Sequence, residues 1–407
     1  MGVAVAACVW SSLAPTRVSA EPPVEAAEAR PVVGVLLPLT GKHKRLGAST
    51  LDAINLAIGH NQDVEFVVVD TGGDARRASA EVSRLSGDPR VVLLLGPLGW
   101  QESRAASEVA NGLSMPIVLL SSEQGVEGLG PWVFRGRPSV EEQARYVGTI
   151  ATTSLQLERF AILVPDDALG RGAGEAFFEA VRRTGGRVVA MSSYARGETN
   201  LSHAVEELVG LRGWRLGSKS RGKWPQGRLQ KTGRTPNVDF DAVFVPDYDD
   251  QVTLAAKFLR FVEVPLAGYG DGSSVQLLGI SHMAGAHLAD ADGLVAGALF
   301  SDVFDVESDL AGVDGFVQAY TDAYKREPTD LDAEAHDLVM HVSAAVRVTR
   351  GVPAAQERRE AARMRLITLK AWTGLTGSLW FEASGAPGRG LQLWVVNASG
   401  TVSPSPP

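Results

Sequence analysis

The residue types that could do chemistry in this chain do not stand at the spacings chemistry needs. Gly170-Arg171-Gly172-Ala173-Gly174 follows an apolar run, as a dinucleotide-binding turn does. Its glycines are misspaced, and Asp166 and Asp167 in the same loop would repel a pyrophosphate. Gly279-Ile280-Ser281-His282-Met283 begins like a turn that presents a nucleophilic serine, but it lacks the closing glycine and has no Asp or His partner positioned by sequence. His336 and His341 lie five residues apart on one helix and project in different directions. His282 and His287 share that mismatch, so neither pair reads as a metal site. Asp249-Asp250 stands before a helix, where the helix dipole accounts for both carboxylates. The single cysteine, Cys8, excludes an internal disulfide and a cysteine metal site. These patterns point to binding without catalysis, cofactor or metal.

A chain of 407 residues, 45% hydrophobic and 21% charged, is long enough for two domains with buried cores. A net charge of −8 argues against general nucleic-acid binding, and no apolar run is long enough to span a membrane. A binding protein needs elements that bring polar groups to one edge, and the stretch from Val91 to Ser122 does so. Val91–Leu95 is an apolar run that suits a strand buried on both faces. Gly96, Pro97 and Gly99 mark a tight loop, and a helix follows from Gln101 to Leu113 with Ser103 near its N-cap. Pro116 opens a second strand, Ile117–Leu120, closed by Ser121 and Ser122. In an open parallel sheet, ligands sit at the strand ends where such loops gather.

The same alternation runs on both sides. Val32–Leu37 and Val64–Asp70 are strands, each followed by a helical stripe. After a crossover at Phe134–Pro138 a second series begins, with strands at Phe160–Val164, Val188–Tyr194, Phe240–Val245 and Gln276–Gly279. Two long helices and the strand-like runs Gly377–Phe381 and Leu391–Val396 follow. The expected fold class is α/β, with two parallel-sheet lobes flanked by helices and a cleft between them. The second series is interrupted by 211–238, which holds eight Lys or Arg, no acidic residue, and Trp214 and Trp224. It reads as a mobile basic loop that either is solvated or contacts an anionic surface. The Ser/Pro tail, 403–407, reads as disordered. At the other end, Val5-Ala6-Ala7-Cys8 looks like the lipidation site of a bacterial lipoprotein, and Val18-Ser19-Ala20 like an export cleavage site. Either reading makes 1–30 a leader and linker.

Several segments together resemble the Leu/Ile/Val-binding protein family of periplasmic ligand-binding proteins. They are Val33-Gly34-Val35-Leu36-Leu37-Pro38-Leu39-Thr40-Gly41 with Gly47, Leu95-Gly96-Pro97, and Ile162-Leu163-Val164-Pro165 with Gly170 and Phe177. Gly185-Gly186-Arg187-Val188, Phe240-Asp241-Ala242-Val243-Phe244, Leu278-Gly279, Phe316 with Tyr320, and Gly374 to Phe381 complete the set. The resemblance implies the periplasmic binding protein type I fold, with three crossovers near Phe134–Pro138, Ser301–Val306 and Gly374–Ser378. The first lobe would then be 31–136 plus 305–375, and the second 137–304 plus 376–402.

By the same resemblance, a ligand carboxylate is held at Trp100 and Gln101, where the family has a serine, and the next loop contributes Ser121, Ser122 and Gln124. Leu169 takes the place of an aromatic cover, Tyr248 matches a pocket tyrosine, and Ser281 stands where an acidic residue receives the ligand ammonium. Glu123 or Asp247 could take that acidic role if the loops slip by a residue. The implied function is an exported solute-binding protein, periplasmic or lipid-anchored at Cys8, that delivers a small polar or amino-acid-like ligand to an ABC permease. The alternative is an envelope interaction protein similar to the lipoprotein activators of penicillin-binding proteins.

Overall fold

The computed structural model describes residues 30–212, 227–228, 235–267, 274–370 and 372–405. The leader expectation, Cys8 and most of the basic insertion therefore lie outside the described residues.

The first lobe is built on β1 (Val32–Leu37), α1 (Lys44–Gly59), β2 (Glu65–Asp70), α2 (Ala75–Ser86), β3 (Val91–Leu95), α3 (Trp100–Gly112), β4 (Ile117–Leu119) and β5 (Val133–Arg135). Its five strands pair in parallel in the order β2-β1-β3-β4-β5. Every residue of β1 and β3 is buried, as continuous apolar runs in a two-sided sheet require. One face of the sheet packs through Leu36 and Leu94 on Ala78, Val82 and Leu85 of α2. The strand gives way to that helix at Gly34, where a Cβ would come within 2.7 Å of Leu94 and 2.8 Å of Leu85.

The second lobe begins with α4 (Val140–Thr153) and runs through β6 (Arg159–Pro165), α5 (Ala168–Arg183), β7 (Arg187–Tyr194), α6 (Ser202–Leu208), β8 (Gly227–Arg228), β9 (Ala242–Phe244), α7 (Asp249–Phe261), β10 (Gln276–Gly279) and β11 (Leu299–Asp302). Ser139 and Glu142 close a capping box at the start of α4, which sets the direction in which the chain enters this lobe. Phe177 of α5 stacks on Phe244 of β9 with ring centroids 4.2 Å apart, one of the contacts that seal helix to sheet. The basic insertion is not wholly apart from this sheet: Gly227–Arg228 pairs antiparallel with Ala190 and Met191 of β7.

The chain then returns to the first lobe. There α8 (Val313–Tyr324), α9 (Asp330–Val346) and α10 (Ala355–Thr368) cover the face of the sheet opposite α2. A small antiparallel sheet follows, made of β12 (Trp372–Gly374), β13 (Gly377–Phe381) and β14 (Pro387–Arg389). This sheet corrects the expected third crossover at Gly374–Ser378. Leu375, Leu379 and Phe381 pack into the first-lobe core, and Phe381 meets Phe134 edge-on at 5.4 Å. The crossing comes only after Arg389, where β15 (Gln392–Val396) pairs antiparallel with β11 and joins the second sheet. A second correction concerns the tail. Val402–Pro404 forms β16 on the edge of β15, and Ser405 N–H donates to Leu393 O at 2.7 Å, so Pro404 lies on an edge strand, where a missing N–H is tolerated. The second sheet thus reads β16-β15-β11-β10-β9-β6-β7-β8.

Each of the three crossings carries a charged residue into one buried cluster with α9. Arg137, on the first crossing, pairs with Glu334 and with Asp330 at 3.3 Å. Asp302, at the second, is buried beside them and accepts the Val303 N–H at 2.7 Å. Arg389, at the third, donates to Gly136 O at 2.9 Å and to Thr376 Oγ1 at 2.6 Å, with Glu334 at 3.9 Å.

Candidate functional site

Two sets of strand-end loops carry the expected site residues. In the first lobe, Asp70 at the end of β2 fixes the loop after β1. Its carboxylate accepts from Leu39 N–H, Thr40 N–H, Thr40 Oγ1 and Gly72 N–H at 2.6–3.1 Å. Burial works to raise its pKa, but these hydrogen bonds outweigh it and hold the carboxyl below its ordinary value. The loop after β3 turns at Gly96, whose φ of +94° and close approach to Leu36 O exclude a side chain. α3 then starts at Trp100, a residue earlier than expected, and Ser103 is not its cap. Ser103 Oγ donates to Pro97 O, and the first turn is anchored from below by buried Glu102, which accepts from Thr71 Oγ1. Burial pushes the Glu102 carboxyl up, opposed by the bonds from Thr71 and Gly99.

This scaffold leaves Trp100 56% exposed at the helix start, with Gln101 exposed beside it. Ser121 is buried and accepts the Glu123 N–H at 3.2 Å; Ser122 is half-buried and Gln124 exposed. Glu123 is half-buried, and its pKa is raised first by burial and then by repulsion from Glu141 of α4, in the other lobe.

The second-lobe loops meet in a cavity of about 150 Å³. Leu169 and Ala173 come from α5, Arg196 from the end of β7, and Pro246 and Tyr248 from the end of β9. Ile280 and His282 follow β10, and Val140 opens α4. Leu169 and Tyr248 are thus brought together, whereas Ser281 is not itself in the wall. Its backbone N–H donates to Gln143 Oε1 at 2.9 Å, and that same oxygen accepts from Ser301 Oγ at 3.2 Å. The segment Ile280–His282 is thereby held against α4.

The working surface of the cavity is a flat aromatic pair that sequence reasoning missed in part. Tyr248 stacks on His282 with centroids 4.8 Å apart and rings 4° from parallel, and the Arg196 guanidinium stands 5.9 Å from the Tyr248 ring. Burial, with help from Arg137, pushes His282 down to about 4, so the imidazole is neutral at pH 7. Arg196 is held between two carboxylates, Asp167 at the N-cap of α5 and Asp247. Asp247 is fully buried and accepts from Tyr194 Oη at 2.8 Å, from Arg196 at 2.6 Å and from Tyr248 N–H at 2.9 Å. Fully buried, Asp247 does not line the cavity, which corrects its suggested role as receiver of a ligand ammonium. Arg196 and His282 could have been found only by noting that both sit at strand ends of the same sheet. His287 parts from His282 and pairs with Asp249 at 2.9 Å. Among the described residues no group of three His, Cys, Asp or Glu could hold a metal ion, and no helix is long and apolar enough to cross a membrane.

Comparison with known proteins agrees with this architecture. Residues 32–210 match the periplasmic binding protein family. No curated protein matches the sequence. A putative branched-chain amino acid ABC transporter protein from Rhodospirillum rubrum superposes with a TM-score of 0.73 at 21% identity, over 91% of this chain and 99% of that one. The substrate-binding protein LivJ from Streptococcus pneumoniae, solved with isoleucine, gives 0.65 at 18% identity over 93% and 100%. A solute-binding protein of an ABC transporter from R. palustris, solved with benzoate, gives 0.66 at 17% identity over 92% and 95%. Residues 32–210 are thus similar to the periplasmic binding protein family, and the described chain carries the two-lobe periplasmic binding protein type I fold.

Proposed function

We propose that the protein is an extracytoplasmic solute-binding protein that captures a small ring-bearing carboxylic acid between its lobes and delivers it to an ABC importer. The observation that carries the ligand class is the stacked Tyr248–His282 wall of the 150 Å³ cavity. A cavity of about 150 Å³ admits a benzene-sized group, and a flat neutral wall favours a planar ring over a branched aliphatic side chain. Trp100, exposed at the start of α3 on the first lobe, offers a second aromatic surface when the lobes close. The ligand carboxylate then falls to the first-lobe loops, to the free amides at the start of α3 and the hydroxyl of Ser122. The small polar or amino-acid-like ligand narrows accordingly: a zwitterion would need an acceptor for its ammonium, and no carboxylate among the described residues lines the cavity, Asp247 being fully buried behind it. The delivery role is supported by the family match and by ABC-transporter neighbours from three bacteria.

A calorimetric and thermal-shift screen tests this with benzoate, hydroxybenzoates, phenylacetate, leucine, isoleucine and phenylalanine. An aromatic acid at about 100 times its Kd should stabilise the fold by about 2.7 kcal/mol. Stabilisation by aliphatic amino acids alone, or by none of the set, overturns the ligand class.

A further inference from the structure

Among the described residues, one charged side chain lines the second-lobe cavity, and its hydrogen-bonding capacity is only partly used. Arg196 stands just past the end of β7, partly exposed, in the wall with Tyr248 and His282. Its Nε donates to Asp167 and its Nη1 to Asp247 Oδ1 at 2.6 Å, and these two bonds fix the position of the planar group. Nη2 donates to nothing among the described residues. Burial works against the charge, but the bonds and charges of Asp167 and Asp247 outweigh it, so the guanidinium stays protonated and Nη2 keeps both its N–H donors. The guanidinium carbon lies 5.9 Å from the centre of the Tyr248 ring. That is close to the distance from a ring's centre to a group bonded to an oxygen on its edge, the hydrogen bond itself being about 2.9 Å. A ring laid on the Tyr248–His282 wall can therefore turn an edge oxygen to Nη2.

The charges around Arg196 decide what kind of oxygen fits. Asp167 and Asp247 already set two carboxylates against one guanidinium, and a second carboxylate on the ligand would add a third. A hydroxyl or carbonyl oxygen accepts from Nη2 without that repulsion. An alkyl group in the same place leaves the donors without a partner once the lobes close out water. We propose that Arg196 is a specificity-determining residue of the cleft, and that the ligand is a ring acid with an uncharged oxygen on its ring, hydrogen-bonded to Arg196 Nη2, and a single carboxylate on the first lobe. This rests on the ring-acid reading above and narrows it.

Calorimetry of the full chain with benzoate, 3- and 4-hydroxybenzoate, 3- and 4-methylbenzoate and terephthalate tests the two separately. Hydroxyl and methyl are close in size, and an apolar pocket with no free donor prefers the methyl compound, because a hydroxyl loses its water there. With Nη2 as donor, the better hydroxybenzoate should bind about tenfold more tightly than the methylbenzoate of the same pattern. Terephthalate, with its second carboxylate, should bind more weakly than benzoate. Arg196→Lys keeps a cation between Asp167 and Asp247 but lacks the planar fork, and it should bring the hydroxyl and methyl ligands to within about twofold of each other. If that variant does not fold, the ligand ratios of the parent decide alone. The inference is overturned, with the ring-acid reading intact, if benzoate binds but the methylbenzoates match the hydroxybenzoates, if terephthalate binds as tightly as the better hydroxybenzoate, or if folded Arg196→Lys keeps the tenfold preference. If none of the acids binds, the ring-acid reading is overturned and this inference with it.

Discussion

Two polar constructions in this protein handle charge in opposite ways. Around the second-lobe box the charges are tied to one another at short range: Arg196 bridges Asp167 and Asp247, and Asp247 has three donors. The Tyr248–His282 wall of the cavity is neutral and flat. The cluster at the crossings is packed less completely. Asp302, Asp330 and Glu334 set three carboxylates against the guanidiniums of Arg137 and Arg389, most of them are buried, and Glu334 Oε1 has no hydrogen bond among the described residues. A site whose charges are tied up behind a flat wall is built to read ligand shape, whereas a buried cluster with surplus carboxylate at the points where the lobes join is built to respond to charge. The contrast teaches where a substitution will change binding and where it will change the fold.

The largest effect should come from the cluster. Arg137→Met leaves Glu334 and Asp302 buried without their main counter-charge, and breaking a buried pair from one side costs about 3–5 kcal/mol. Urea unfolding should show the loss as a lower midpoint, while the second-lobe box, which does not include Arg137, keeps its shape. An unchanged midpoint would mean the cluster is solvated and the contrast is false. Tyr248→Ala should do the reverse. Tyr248 is 50% exposed and packs on one ring, so stability should fall by less than 1 kcal/mol or so, while affinity for an aromatic acid should drop about tenfold or more. Equal loss of both in calorimetry and unfolding would collapse the distinction.

The two constructions also differ in how far they could be read from the chain. Strand-helix alternation made both sheets legible, because apolar runs such as Val91–Leu95 leave a parallel strand few other homes. Leu169 and Tyr248 reached the box through a family resemblance, but Arg196 and His282 did not, since their meeting depends on loops after separate strands. The cluster was not legible at all: Arg137 and Glu334 are 197 residues apart, and no local period links them. α10 was missed for a related reason. Its sequence, AQERREAARMRLIT, has only a short apolar stripe, Ala362 and Leu366, and the rest of its buried face is Arg358 and Arg359, which donate to the carbonyls of Pro89, Val91 and Ser86. The third crossing was misplaced because GSLWF alternates as well for one lobe's sheet as for the other's.

A smaller effect separates the regions by pH. Burial, then repulsion from Asp330, raises the Asp302 carboxyl well above its ordinary value. The folded state therefore binds a proton more tightly than the unfolded one. The stability this contributes is full below the ordinary aspartate value and is lost as pH rises through the folded value. Asp302→Asn keeps the neutral form at every pH. Its stability should match the parent in acid and exceed it progressively as pH rises, measured by urea midpoints across the range. Parallel curves would place the surplus charge elsewhere in the cluster.

His282 offers the smallest and most local test, with the opposite sign. Its pKa is pushed down to about 4 by burial and by Arg137, so the unfolded chain binds a proton that the folded box refuses. Stability from this group is full above the ordinary histidine value and declines as pH falls toward 4. His282→Gln removes a titrating group while keeping a planar polar end against Tyr248, so its stability should fall less steeply than the parent's between pH 6.5 and 4. Binding of an aromatic acid should be flat from pH 6 to 8 in the parent, because the imidazole stays neutral throughout. If binding instead weakened across that span as the pH rose, His282 would be titrating in the box as a cation, and the wall facing the ligand would be charged in the same manner as the crossings.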